Sequence, residues 1–412
     1  MGALTSFFAW RYFRSKRSTN AINIISWISV VAIGVVTAAL VVVLSVFNGF
    51  EDLVKSLYAD FYTDISIAPA RGKWINDANT VLARVRSEAG VLQAEPVLTE
   101  RAILVESEDK SIAWLKGVPA SYARMSGVPA HVGRGQFALG TAEEPALVLG
   151  GGVENSLQVL AGQHLTPITV YLPNRTATDL SDPLSALLSA NAFAAGSFSI
   201  QQEFDNQYAF TSIEFLRYML DLPPGAASAV EVATKPGTEV EALARRLQQQ
   251  LGSGYVLRTR YQQNQALFAA MQMERVIIFS VAFLILLIAA FNIISSLSMT
   301  VLEKEKDIAV LQAMGMAPQR VARIYLKLAA LLSGVGAGAG LLLGLLVCLG
   351  QRQFHWVKLG GNSFIIDYYP VAIRWTDLLL VAGIIAAIAL LAGWLPARRA
   401  ASIHFSLRTA GR

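Results

Sequence analysis

Charge is scarce in this chain, and cysteine nearly absent. Only 15% of its 412 residues are Asp, Glu, Lys or Arg, against 54% hydrophobic residues and a mean hydropathy of +0.47. That balance excludes an ordinary soluble or disordered chain and indicates an integral membrane protein. The single cysteine, Cys348, lies in an apolar run, so no disulfide can form within the chain. The four histidines (His131, His164, His355 and His404) stand apart, with no second ligand at metal spacing. No G-x-x-x-x-G-K-[ST] occurs, so the chain has no P-loop to cradle phosphates, and neither G-x-S-x-G nor H-E-x-x-H is present. Glu143 and Glu144 are adjacent and would point apart in a strand, as solvated surface. The net charge of +5 is not gathered into a basic patch with interleaved aromatics, which leaves nucleic acid without a site. The apolar runs hold no row of ionisable residues, which excludes a proton relay or ion pathway; Asn23 and Asn292 read there as interhelical hydrogen-bonding groups.

What is abundant is long apolar runs, and one of them organises the rest. Val276 to Leu302 carries no charge, and at a rise of about 1.5 Å per residue it exceeds the roughly 30 Å hydrocarbon core. Glu303-Lys304-Glu305-Lys306-Asp307 then forces the chain out of the membrane. A short amphipathic helix is expected next, with Asp307 as N-cap, Ile308, Leu311 and Met314 on one face, Gly315 as its stop and Pro318 beyond. A span joined to a firm surface helix can carry force between a partner and the membrane.

The remaining spans follow from the same rule. The first 21 residues mix Arg11, Arg14, Lys16 and Arg17 with Phe7, Phe8, Trp10, Tyr12 and Phe13, which suits a helix lying in the interface, aromatics among headgroups and bases toward anionic lipid. Spans are expected at 22–49, 273–302, 324–350 and 376–396, the last closed by Pro396. In the third, Gly336, Gly340 and Gly344 form overlapping small-xxx-small patterns, a face for close helix packing within the chain or between two copies. The N-terminus, the 303–323 connection and the 397–412 tail are basic, which puts them in the cytoplasm and leaves the 50–272 block and the short 351–375 loop outside it.

Within 50–272, strand and helix signals repeat. The segment beginning Asp64-Ile65-Ser66-Ile67-Ala68 and the helix opened by Asp77 are echoed by Ala229 to Ala233, Thr238 to Leu251 and Tyr255 to Arg260. The pattern predicts a split α+β subdomain (62–119 and 229–260) with a second subdomain inserted at 120–228. In the insert, Pro173 to Gly196 is a long small-residue connection, read as a short helix from Asp182-Pro183 carrying Leu184, Leu187 and Leu188. Such excursions are often binding loops. The fold class is therefore α-helical membrane protein with four transmembrane helices, plus a large α+β extracytoplasmic domain of two subdomains.

Three stretches carry a family resemblance: Thr19 to Glu51, Ala289 to Gly315, and the tail Leu395 to Arg408 (LPARRAASIHFSLR). They resemble the LolC/LolE-type permeases of the lipoprotein-releasing ABC transporter, within the MacB/FtsX-like permease superfamily. The resemblance implies no catalytic site and no cofactor in this chain, with ATP and Mg bound by a cytoplasmic ABC ATPase of the LolD type. It further implies a second permease, identical or paralogous, an acylated lipoprotein substrate drawn from membrane lipid, and a periplasmic carrier of the LolA type. The coupling helix maps to Glu303, Lys304, Lys306, Asp307, Ile308, Leu311, Met314 and Gly315. The lipid cavity maps to Val43, Phe47, Phe50, Phe291 and Ile294, on the first two spans. The carrier-binding hook maps to Pro173, Asn174, Arg175, Leu184, Leu187 and Phe193. Two departures stand out: the 173–196 connection is longer than a compact hook, and His404-Phe405 replaces the proline usual before the final Leu-Arg. The alternative within the superfamily is a mechanotransmitting permease serving efflux or cell-wall hydrolase control; outside it, a membrane-anchored sensor or enzyme with no ATPase partner.

Overall fold

The computed structural model describes residues 2–14, 20–163, 166–174, 187–358 and 368–403. Among the described residues two compact units emerge, one built from stretches within 2–53, 270–358 and 368–403, the other from stretches within 54–269.

The chain opens with helix α1 (Gly2–Arg14) and the 42-residue α2 (Asn20–Phe61). From Val54 onward α2 belongs to the second unit, where Phe61 stacks on Phe204 with ring centroids 4.2 Å apart. Four antiparallel partners follow in the order β10 (Tyr255–Thr259), β1 (Ile65–Pro69), β9 (Ala229–Thr234) and the first half of β2 (Val91–Glu106). Helices α3 (Ala78–Arg86) and α7 (Val240–Leu251) cover this sheet. Asp77 caps α3 by accepting from Asn79 N at 3.1 Å. In α7, Leu243, Leu247 and Leu251 fall at i, i+4 and i+8 and are buried, and Gly252, at φ +77°, ends it. The two β-α-β halves thus interleave in one sheet.

The second half of β2 leaves that sheet for another. It pairs with β3 (Asp109–Val118), which runs parallel to β8 (Tyr208–Ser212); β8 pairs with β5 (Ala146–Gly150), β5 with β7 (Leu187–Phe198), β7 with β6 (Ile168–Pro173), and β6 returns to β2. Six strands therefore close into a ring, which leaves no free edge among them; β4 (Val132–Gly135) adds outside it on β7. Short helices α4 (Gly151–Ser156) and α6 (Ile213–Met219) share one core with the ring's inward residues, Leu98, Leu104, Leu115, Leu149 and Val170 among them, while α5 (Gln202–Asp205) packs Phe204 against Phe61 and Tyr208. The division expected at residue 119 falls inside β2 instead, near 97/98, because Leu98, Ala102, Leu104, Ala113 and Leu115 bury their side chains with the insert. The short α8 (Arg260–Gln263) leads out of the domain.

Four further helices complete the chain: α9 (Gln265–Glu303), α10 (Glu305–Ala313), α11 (Pro318–Phe354) and α12 (Trp375–Ala401). With α2 counted from Trp27, α9, α11 and α12 make four helices long and apolar enough to cross a membrane among the described residues. The chain therefore has the fold class read from its sequence. Helix α12 does not stop at Pro396 as expected. The proline sits inside the helix, which gives up the bond from that residue to the Ala392 carbonyl and still continues to Ala401.

Candidate functional site

Small residues bring the spans together. A methyl added at Gly340 would lie 2.6 Å from Thr37 Cβ, one at Gly336 would lie 2.7 Å from Val30 O, and one at Gly344 would lie 2.9 Å from Val41 Cβ. These three glycines of the third span thus face α2 of the same chain. Thr37 directs its hydroxyl to Ile33 O at 2.6 Å, so the tight seam leaves no orphaned donor there. Beyond the seam, Gly49 abuts Val371 N, Ala372 N donates to Ser45 O at 2.9 Å, Asn48 Nδ2 donates to Asp377 Oδ2 at 2.5 Å, and Arg374 pairs with Asp52 at 2.7 Å. Residues 371–374 form a strap across α2. No motif announced it, because its groups lie more than 300 residues apart in sequence.

The second span is two-faced although uncharged from Val276 to Leu302. Ala282, Leu286, Ala289, Ile293 and Ser296 are buried against the other helices, while Ile277, Val281, Leu284, Ile288 and Phe291 are all more than half exposed. Both rows step by four and three residues, the spacing that gives a helix two opposite stripes. The proposed cavity residues do not share one surface. Val43 (46%) and Phe291 (62%) are exposed, Phe47 is buried at 9%, and Phe50 and Ile294 are half-buried. A small apolar notch lies elsewhere, between Ile33, Val36 and Thr37 of α2, Leu286, Ala289 and Ile293 of α9, and Ile385 and Ile388 of α12.

After Glu303 the helix breaks for one residue. Lys304, at φ −91° and ψ 14°, caps α10, and the chain turns. Asp307 is therefore not the N-cap: α10 begins two residues earlier, and Asp307 sits in its first turn, paired with Lys304 at 3.5 Å. A Schellman motif closes the helix, with Gly315 N donating to Gln312 O and Met316 N to Leu311 O; Gly315 takes φ +89°. The expected apolar face dissolves. Ile308 is buried at 1%, Leu311 is half-buried, and Met314 is 80% exposed, because six residues of helix rotate Met314 about 120° from Ile308. The outward face is Lys306, Val310 and Met314.

The hook segment is partly described. Pro173 and Leu187 pair across the end of the β6–β7 hairpin, Asn174 follows Pro173, and Phe193 sits further along β7, 39% exposed. Arg175 and Leu184 lie outside the described residues. From Leu187 onward the connection is strand, not the helix its alanines suggest: pairing with both β5 and β6 overrides local propensity.

The MacB-like periplasmic core domain matches residues 26–250, more than half the chain, and the FtsX-like permease C-terminal domain matches residues 279–405. The chain belongs to the MacB/FtsX-like permease superfamily. It is an inner-membrane permease whose second unit is the periplasmic domain. Its relatives include the "lipoprotein-releasing system transmembrane protein LolC" of Neisseria meningitidis serogroup B, 26% identical over 97% of both chains. The LolE protein of Haemophilus influenzae is 25% identical, again over 97% of both chains. The periplasmic region of MacB from Actinobacillus actinomycetemcomitans, a solved structure, is 10% identical, with a TM-score of 0.35 over 52% of this chain and 97% of that one. Within this permease the C-terminal match spans most of α9 through α12, the elbow at Lys304 included.

Proposed function

We propose that this permease is the membrane subunit of an ATP-driven complex that lifts acylated lipoproteins from the outer leaflet of the inner membrane and hands them to a periplasmic carrier. The end-to-end likeness to proteins named for lipoprotein release, over 97% of both chains, carries this reading. The physical task is severe. Each buried methylene contributes about 0.8 kcal/mol, so two long acyl chains hold a lipoprotein by roughly 20 kcal/mol. Spontaneous release is negligible, and the work must come from outside this chain.

The outward row of α9 ending at Phe291 supplies an apolar wall for the acyl chains, and Val43 of α2 belongs to the same class of exposed apolar groups. Lys306, Val310 and Met314 of α10 form the seat for a cytoplasmic ABC ATPase of the LolD type, which binds ATP and Mg. The N-terminus, the 303–323 connection and the tail lie in the cytoplasm. The β6–β7 connection, with Pro173, Asn174, Arg175, Leu184, Leu187 and Phe193, receives a carrier of the LolA type. A second permease, identical or paralogous, completes the complex.

Phe291→Glu tests the wall: transfer of a labelled lipoprotein from proteoliposomes to added carrier should stall while the ATPase still co-purifies. Phe47→Glu would not serve, since a charge at that buried site unsettles the bundle itself. Normal transfer by Phe291→Glu would remove α9 from the lipid path. Depletion of the chain in cells should leave lipoproteins in the inner membrane; correct sorting, with failed efflux or cell-wall hydrolysis, would favour the mechanotransmitting reading.

A further inference from the structure

Helix α1 reads from its sequence as an interfacial float, yet part of it is turned inward. Thr5 and Ala9, one helical turn apart, are 6% and 0% exposed, and Tyr12, three residues on, is half-buried against the core that holds Ile308, Val321 and Tyr325. Phe7 and Trp10, at 56% and 50% exposure, occupy the other side. Lys327 of α11 reaches across and donates from Nζ to Thr5 Oγ1 and Ser6 Oγ, both at 2.8 Å. The ring of Tyr12 lies 6.4 Å from that of Tyr325 on α11, and Lys304 Nζ lies 6.0 Å from the centre of the Tyr12 ring. Tyr12 therefore touches both α11 and the residue at which α9 breaks into α10.

Lys304 is a weak joint. It is the single residue between two helices, its backbone sits in the sparsely occupied bridge region, and two neighbours restrain its side chain: Asp307 at 3.5 Å and the face of Tyr12. On the far side of the joint, Ile308 alone among the residues of α10 is fully buried. Burial, and after it the charge of Asp307, push the Tyr12 phenol above its ordinary range, so the ring stays neutral at physiological pH and keeps an electron-rich face for Lys304.

We propose that α1 is a strut for the elbow, with Tyr12 the positioning residue that fixes the direction in which α10 leaves the second span. Thr5, Ser6 and Lys327 anchor the strut to α11, and the Tyr12 ring transmits that anchorage to Lys304. The proposal rests on the reading of α10 as the ATPase seat, but its structural half stands without it.

The test uses the full chain, alone and with its ATPase. A spin label at Met314→Cys, on the exposed end of α10, should be ordered in the parent protein and in Tyr12→Phe, and measurably more mobile in Tyr12→Ala. In the reconstituted complex, Tyr12→Ala should lower lipoprotein released per ATP hydrolysed by about threefold or more, with Tyr12→Phe at the parent value. Unchanged label mobility in Tyr12→Ala would overturn the strut, and so would a Tyr12→Phe variant as impaired as Tyr12→Ala, since the ring and not the hydroxyl faces Lys304. If Tyr12→Ala frees the label but the parent complex releases no lipoprotein, the strut stands and the proposed function fails.

Discussion

Lys116 is the residue on which the periplasmic domain concentrates most electrostatic risk. Its ammonium, on a side chain 5% exposed, lies 2.7 Å from Glu231 Oε1, donates to Tyr122 Oη at 2.9 Å, and sits within 6 Å of the rings of Phe61, Tyr122 and Phe210. Tyr122 in turn donates to Glu231 Oε2 at 2.6 Å, and burial, then the Glu231 charge, push its phenol well above the ordinary value. Lys116 belongs to the strand ring and Glu231 to the split sheet, so the pair pins two cores to one another. Removing one partner strands a buried charge. Lys116→Met should cost about 3–5 kcal/mol of stability, whereas Lys116→Met with Glu231→Leu should recover most of it. Thermal unfolding of the full chain in detergent checks both, and a single variant as stable as the parent would refute the buried pairing.

Among the elements, the α2–α11 seam depends on missing side chains at three successive positions, Gly336, Gly340 and Gly344. Gly340 packs its backbone against Gly34 and Thr37, and there is no flexible side-chain end that could yield. Gly340→Leu should therefore lower the melting temperature of the purified protein, by an amount equivalent to about 1–3 kcal/mol or more. Gly383→Leu on α12 is the matched control, since nothing lies within 4 Å of a methyl placed there, and it should melt within error of the parent. The two substitutions share the same chemistry, so equal destabilisation would show that the seam is not a close-packed contact. The glycine spacing was legible in the sequence; its partner was not, because small-xxx-small describes one helix and says nothing of which helix it meets. The outward face of α10 was misread for a related reason. A spacing of three slips about 60° per step on a helix of 3.6 residues per turn, and the pattern of these nine residues does not say which end meets a neighbour.

For the whole molecule, the decisive question is which groups share a side of the membrane. The only native cysteine, Cys348, is buried, so introduced thiols can be read without interference. Met314→Cys on α10 and Tyr218→Cys on the periplasmic domain, 80% and 74% exposed in the parent residues, should react with an impermeant maleimide from opposite faces of sealed vesicles. Labelling from the same face would end the proposal that α10 receives a cytoplasmic ATPase. The predicted topology rests on Lys and Arg counts in short connections, a rule about insertion that needs no tertiary contact.

Composition and hydropathy by themselves determined that this is a membrane protein with four spans and a large α+β domain, because a span must be long and uncharged whatever it packs against. The split sheet was also legible, since its strands and helices carry their own periodicities and caps. Tertiary structure alone decided that β2 bends from one core into another, that six strands close into a ring, that residues 371–374 strap across α2, and that Tyr12 faces the elbow instead of lipid. Each of these depends on groups far apart along the chain, such as Asn48 and Asp377, or on partners that override local propensity, as β5 and β6 do for Leu187–Phe198. Local pattern fixes what a segment can become; burial against a specific neighbour selects among the possibilities.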